Sequence, residues 1–128
     1  MSRARKALGL LAVCAVALAL PGAGATAMAK PKPQTKKVTV NDFYFGPTSV
    51  TIKKNDKIKW VWSAFNSAPH DVHLKQGPKG LKNKGTYSTK TTAVTNAQFV
   101  KQFATPGTYK YICTIHPTEM KLTVTVKK

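Results

Sequence analysis

The sequence predicts an all-β domain, a Greek-key β-sandwich of seven to eight short strands preceded by a cleaved signal peptide. Two observations carry this. Beyond residue 36 the apolar residues recur with a period of two rather than 3.6. Turn residues interrupt that pattern at regular spacing, and no stretch has a convincing helical period.

The chain of 128 residues opens with MSRARKALGLLAVCAVALALPGAGATAMAK. Arg3, Arg5 and Lys6 form a basic start, Ala7 to Leu20 an uncharged apolar run, and Ala27-Met28-Ala29 an A-x-A cleavage site. The apolar run is about 14 residues, short of the ~20 that span a bilayer, so a signal peptide fits better than an anchor. Cys14 follows Val13 inside that run, where a lipid-modified cysteine would need a small neighbour. The expected organisation is a signal peptide over 1–29, a loose Lys- and Pro-rich leader over 30–36 (KPKPQTK) and one domain over 37–128. No later segment is long and apolar enough to span a membrane.

Within the domain, KVTVNDFYF alternates through Val38, Val40 and the aromatics. SVTIKK and KIKWVW are strand-like, with Asn55-Asp56 turning the chain between them. HDVHL reads as a short strand, and its odd spacing puts His70 and His73 on opposite faces. QFVKQF alternates again. TYKYIC places Tyr109, Tyr111 and Cys113 on one face and Lys110 on the other, and KLTVTVK does the same for Leu122, Val124 and Val126. The segment from Lys75 to Ala97, with three glycines and five lysines, has no such period. It reads as a long surface loop with one edge strand at most.

Cleavage after Ala29 removes Cys14 and two of the three methionines. The remaining 99 residues (128 less 29) keep one cysteine, Cys113, one methionine, Met120, and three histidines, His70, His73 and His116. Exported domains ordinarily use cysteines in pairs. A lone one calls for another explanation, and the chain's two soft sulfur donors lie seven residues apart with an imidazole between them. Cys113, His116 and Met120 share one strand-to-strand loop containing Pro117. Thiolate and thioether favour Cu(I), imidazole suits both copper states, and a His₂Cys site with a weak axial Met is the signature of a blue-copper centre. The second histidine is His70 or His73. Pro69 fixes the backbone before His70, where a loop enters a strand and the side chain can point off the sandwich end.

With those residues in view, the domain resembles the cupredoxins, and among them the small plastocyanin/amicyanin-like group. FGPTSVTIKKNDKIKWVW is similar to the family's second and third strands, NSAPHDV to the segment carrying its first histidine, and TPGTYKYICTIHP to the strand and loop carrying the Cys and second His. The resemblance implies His70, Cys113 and His116 as equatorial ligands and Met120 as axial ligand of one copper ion. It also implies that Asp71 and Asn66 brace the Cys loop and that the edge of His116 near Pro117 is the electron port. Three residues separate His116 from Met120, where plastocyanins have four, amicyanins two and azurins three. In an amicyanin-sized loop the axial place would fall on Glu119 instead. The family's usual Gly before Asp56 is Asn55 here.

Charge and composition narrow the function. Residues 30–128 hold 18 lysines, no arginine and four acids (Asp42, Asp56, Asp71, Glu119), a net charge of +14. The absence of arginine removes the bidentate fork that reads guanine and phosphate, and no aromatic–basic stacking platform stands out, which argues against nucleic acid. The expectation is a monomeric, non-enzymatic electron carrier, periplasmic or extracellular, whose lysines steer an acidic redox partner or touch an anionic envelope surface. The rival on the same ligands is a protein that stores, buffers or delivers copper. An enzyme has little support: four acids leave few general acid–base candidates, and only His73 is spare to hold a further metal.

Overall fold

The structure is a computed structural model. It describes residue 18 and residues 22–128, so the signal peptide expected over 1–29 lies largely outside the described residues. Eight strands follow: β1 (Thr35–Asn41), β2 (Tyr44–Gly46), β3 (Ser49–Lys53), β4 (Lys57–Trp62), β5 (His73–Gln76), β6 (Gln98–Gln102), β7 (Gly107–Ile112) and β8 (Lys121–Lys127). They make two four-stranded sheets, ordered β2-β1-β4-β6 and β3-β8-β7-β5. Only β1–β2 and β7–β8 join strands within a sheet. Every connection from β2–β3 to β6–β7 changes sheets, which makes β1 and β4, and β3 and β8, parallel neighbours. This is the crossing pattern of a Greek-key sandwich.

Period-two alternation sets which side chains face inward. Val38 and Val40, Ile58, Trp60 and Trp62, Tyr109 and Tyr111, and Leu122, Val124 and Val126 are all buried. Trp60 of β4 lies 5.1 Å from Tyr111 of β7 and stacks at 5.3 Å on its cross-strand neighbour Phe99, so the aromatics join the two sheets through the core. A short 3₁₀ turn, Lys84–Tyr87, folds the irregular Lys75–Ala97 segment back: Tyr87 stacks on Tyr109, and the Lys101 ammonium sits 4.0 Å over the Tyr87 ring.

Three local readings differ from the sequence pattern. The KVTVNDFYF run is two strands, broken by a turn at Asp42-Phe43 where Phe43 takes a left-handed φ of 67°. The strand expected over HDVHL starts at His73, while His70 pairs only with Ala93 through an isolated bridge. β1 also takes in Thr35 and Lys36, which pair with Lys57 and Ile58. At the β3–β4 turn Asn55 has φ 74°, the conformation a glycine would take. Asp56 accepts the backbone N–H groups of Gln34 and Lys53 there, and these bonds hold its carboxyl below the usual range.

The outer faces carry lysines on both sheets. Lys37 sits beside Lys59, and Lys53 beside Lys127, on adjacent strands. Among the described residues no lysine is ion-paired with an acid.

Candidate metal centre

The ends of β1, β4 and β7 and the start of β8 meet at one pole of the sandwich, and the loops there build the site. His70 is pinned by its backbone. Its N–H donates to the Ala93 carbonyl at 2.9 Å, and its carbonyl accepts the Ala93 N–H at 3.0 Å and the Trp62 indole N–H at 3.2 Å. Cys113 leaves β7 with its side chain still on the inward face set by Tyr109 and Tyr111. Its N–H donates to the Met120 carbonyl at 3.2 Å, and the Met120 N–H donates to the His116 carbonyl at 3.0 Å. Those bonds close the 113–120 loop onto itself.

His70, Cys113 and His116 come together, with one donor atom from each within 4.8 Å of the others. The Nδ1 atoms of His70 and His116 lie 4.0 and 3.8 Å from the Cys113 Sγ. Bonds of about 2.0–2.1 Å to nitrogen and 2.3 Å to thiolate, the zinc values, give an N–S edge of about 3.8 Å in a trigonal plane. The donor set therefore fits one ion of a metal that takes nitrogen and sulfur. His70 and Cys113 are fully buried and His116 is partly exposed. Met120 is fully buried. Glu119 is exposed, and its carboxylate accepts the Thr118 hydroxyl at 2.7 Å, which holds it below the usual range. His73 is exposed at the start of β5, outside the cluster.

The supports are only partly those expected. Asp71 accepts the Thr114 N–H at 2.7 Å and the Thr114 hydroxyl, so it does brace the Cys loop. Asn66 instead donates to the carbonyls of Val40 and Val94, tying the end of β1 to the loop beside Ala93. Asp42 is the residue that sequence reasoning missed. Its Oδ1 lies 2.8 Å from His70 Nε2 and accepts the Ala68 N–H at 3.2 Å, and its Oδ2 accepts the N–H and hydroxyl of Ser67, both at 2.8 Å. These bonds, the His70 one first, hold its carboxyl well below the usual carboxylate range. A carboxylate on Nε2 favours a proton there, which leaves Nδ1, the nitrogen facing Cys113, as the one free to bind a metal. Phe43 meets the His116 ring edge-on at 5.0 Å and the His70 ring at 6.3 Å.

The loops at this pole expose several apolar residues, and Lys121 at the start of β8 lies near Glu119. Phe43, Phe65, Val94 and Ile115 are exposed on the surrounding loops. Segments 41–44, 63–71, 93–97 and 113–120 contain three of the four acids of the domain and no lysine.

Comparison with known proteins agrees with this geometry. Residues 33–127 match the family of copper binding proteins described as plastocyanin/azurin. The chain is 33% identical over 84 residues to amicyanin-alpha of Methylorubrum extorquens, covering 63% of each protein, so it spans somewhat less than two thirds of that relative's length. Oxidised plastocyanin from Dryopteris crassirhizoma superposes with a TM-score of 0.61 at 26% identity, covering 72% of this chain and all of that one. A copper-containing nitrite reductase from Thermus scotoductus superposes with a TM-score of 0.58 at 26% identity, over 77% of this chain but 23% of the reductase.

Proposed function

The chain belongs to the copper-binding plastocyanin/azurin family, the cupredoxins, and from that premise we propose that it is an exported type 1 (blue) copper protein carrying single electrons between redox partners. The observation that carries this reading is the convergence of His70 Nδ1 and His116 Nδ1 on the Cys113 Sγ at one buried point. In this reading His70, Cys113 and His116 are the equatorial ligands of one copper ion and Met120 is the axial one. The burial of Met120, and the exposure of Glu119 with its carboxylate turned to Thr118, support the thioether over the carboxylate. When bound, copper supplies reversible one-electron chemistry between its +1 and +2 states. The chain's own part is to keep the donors in place through a change of charge. The His70 backbone is held by Ala93 and Trp62, the 113–120 loop is closed on itself, and Asp71 holds Thr114.

His116 is the site's partly exposed histidine; Phe43 packs edge-on against it, its neighbour Ile115 is exposed, and Phe65 is exposed on the loop before His70. That surface is where a redox partner docks in this reading, since exposed apolar residues gathered on one pole mark a contact surface. The lysines stand on the strand faces and attract an acidic partner from a distance, and the contact itself is apolar. In this reading the protein works as a monomer and carries electrons rather than turning over a substrate.

The visible spectrum of purified residues 30–128 with added Cu(II) tests the reading, with Cys113→Ser as control. An intense blue band that the control lacks is expected, followed by rapid electron self-exchange. A colourless product removes the blue-copper reading. A blue but readily exchanged metal with slow self-exchange favours copper storage or delivery instead.

A further inference from the structure

Asp42 is 28 residues from His70 in sequence, yet its carboxylate holds the remote nitrogen of that ring. The contact is built from both sides. Ser67 gives Asp42 its N–H and its hydroxyl, and Ala68 gives its N–H, so the loop that delivers His70 also locks the carboxylate that orients it. The neighbouring Phe43, held at a left-handed φ of 67°, packs edge-on against both histidine rings. His70 is fully buried, so water does not compete for its Nε2–H, while the Asp42 side chain is about a quarter exposed.

A carboxylate on the far nitrogen of a metal-binding imidazole fixes its tautomer and raises its basicity as a donor. It also adds one negative charge beside the site, which favours the more positive state of the ion. The geometry points to Asp42 as a positioning residue for His70, one whose fixed charge favours the oxidised over the reduced copper centre. This rests on the copper reading above and goes beyond the ligand set, because it assigns control of the potential to the turn between β1 and β2. A purely structural Asp42 would serve only to fasten the Ser67–Ala68 loop. Neutralising the charge and loosening the loop therefore have different consequences.

The reduction potentials of the copper-loaded wild type, Asp42→Asn, Asp42→Glu and Ser67→Ala separate the two roles. In Asp42→Asn the ratio of Cu(I) to Cu(II) affinity is expected to shift about tenfold toward Cu(I), an upward shift of about 59 mV for one electron. Asp42→Glu restores most of it, and Ser67→Ala stays near the wild type. A folded Asp42→Asn protein with an unchanged or lowered potential overturns the inference, as does a Ser67→Ala shift equal to that of Asp42→Asn. If Asp42→Asn does not fold or load, ring-nitrogen NMR of the unloaded wild type at alkaline pH decides. A His70 tautomer protonated at Nε2 upholds the inference, and one protonated at Nδ1 overturns it. A wild type that never turns blue would sink the copper reading, and the tautomer would still report on Asp42.

Discussion

Asp71 and Thr114 are joined twice, carboxylate to backbone N–H and carboxylate to hydroxyl, so the residue after His70 grips the residue after Cys113. The two segments lie 43 positions apart in sequence. This link ties the histidine loop to the Cys loop outside the metal-ligand cluster itself. Asp71→Ala removes both bonds and is expected to cost about 1.5–3 kcal/mol, the range for hydrogen bonds to charged groups. Urea denaturation of the unloaded protein measures that loss, and the copper-loaded variant should show a weakened blue band.

Met120 and Glu119 compete for the axial place in the sequence, and their burial separates them. Glu119→Gln is expected to leave the visible spectrum and the potential close to wild type. Met120→Leu keeps the volume, should cost less than about 1.5 kcal/mol, and should raise the potential by removing a sulfur donor. A green or red wild type that turns blue in Glu119→Gln would assign the carboxylate instead.

Asn55 stands at φ 74° in the β3–β4 turn, at the pole opposite the site. Asn55→Ala keeps the β-carbon in that conformation but removes the polar side chain that eases it, at a cost below the ~1–2 kcal/mol a left-handed L-residue carries. Asn55→Gly is expected to be near neutral. Thermal unfolding of the two variants checks this, and both should keep the wild-type spectrum.

Asp56 predicts a pH dependence. Its folded carboxyl is held below the usual value by the Gln34 and Lys53 N–H groups. A depressed folded value means that the stabilisation is complete above the unfolded value of about 3.9 and is lost as pH falls through the lower folded one. Asp56→Asn should therefore be less stable than wild type at neutral pH, and the gap should narrow in acid. Urea midpoints of the unloaded proteins along a descending pH series measure it.

Residues 30–128 carry +14, and no lysine is ion-paired with an acid among the described residues. The rate of electron transfer with an acidic partner is expected to fall as salt rises, most steeply below ~0.1 M, where the screening length exceeds about 10 Å. A rate independent of ionic strength would remove the steering role. Lys37→Gln with Lys59→Gln should lower the rate without altering the potential.

The strands that carry Cys113 and close the chain were legible because each has one buried face and one wet one. Tyr109, Tyr111, Leu122, Val124 and Val126 repeat every second residue. The Cys-His-Met loop was legible from chemistry, since soft donors in a chain that reads as exported, with no pairing cysteine, have few other uses. Asp42 was not legible. The apolar phase steps from Val38 and Val40 to Phe43 and Phe45, which marks a turn, but nothing local pairs Asp42 with a histidine 28 positions away. The pairing of His70 with Ala93 was hidden as well. Its partner lies in a segment with no period at all, and only the folding back of the 75–97 segment brings the two together.

Cys113 is the free cysteine among the described residues and is fully buried, beneath a loop fastened by its own backbone. A lone exposed thiol in an oxidising compartment is chemically short-lived, because it couples to other thiols or climbs to sulfenic and sulfinic acids. Burial denies oxidants that access. A copy of this chain that folds before it meets a metal can therefore wait for one with its sulfur intact.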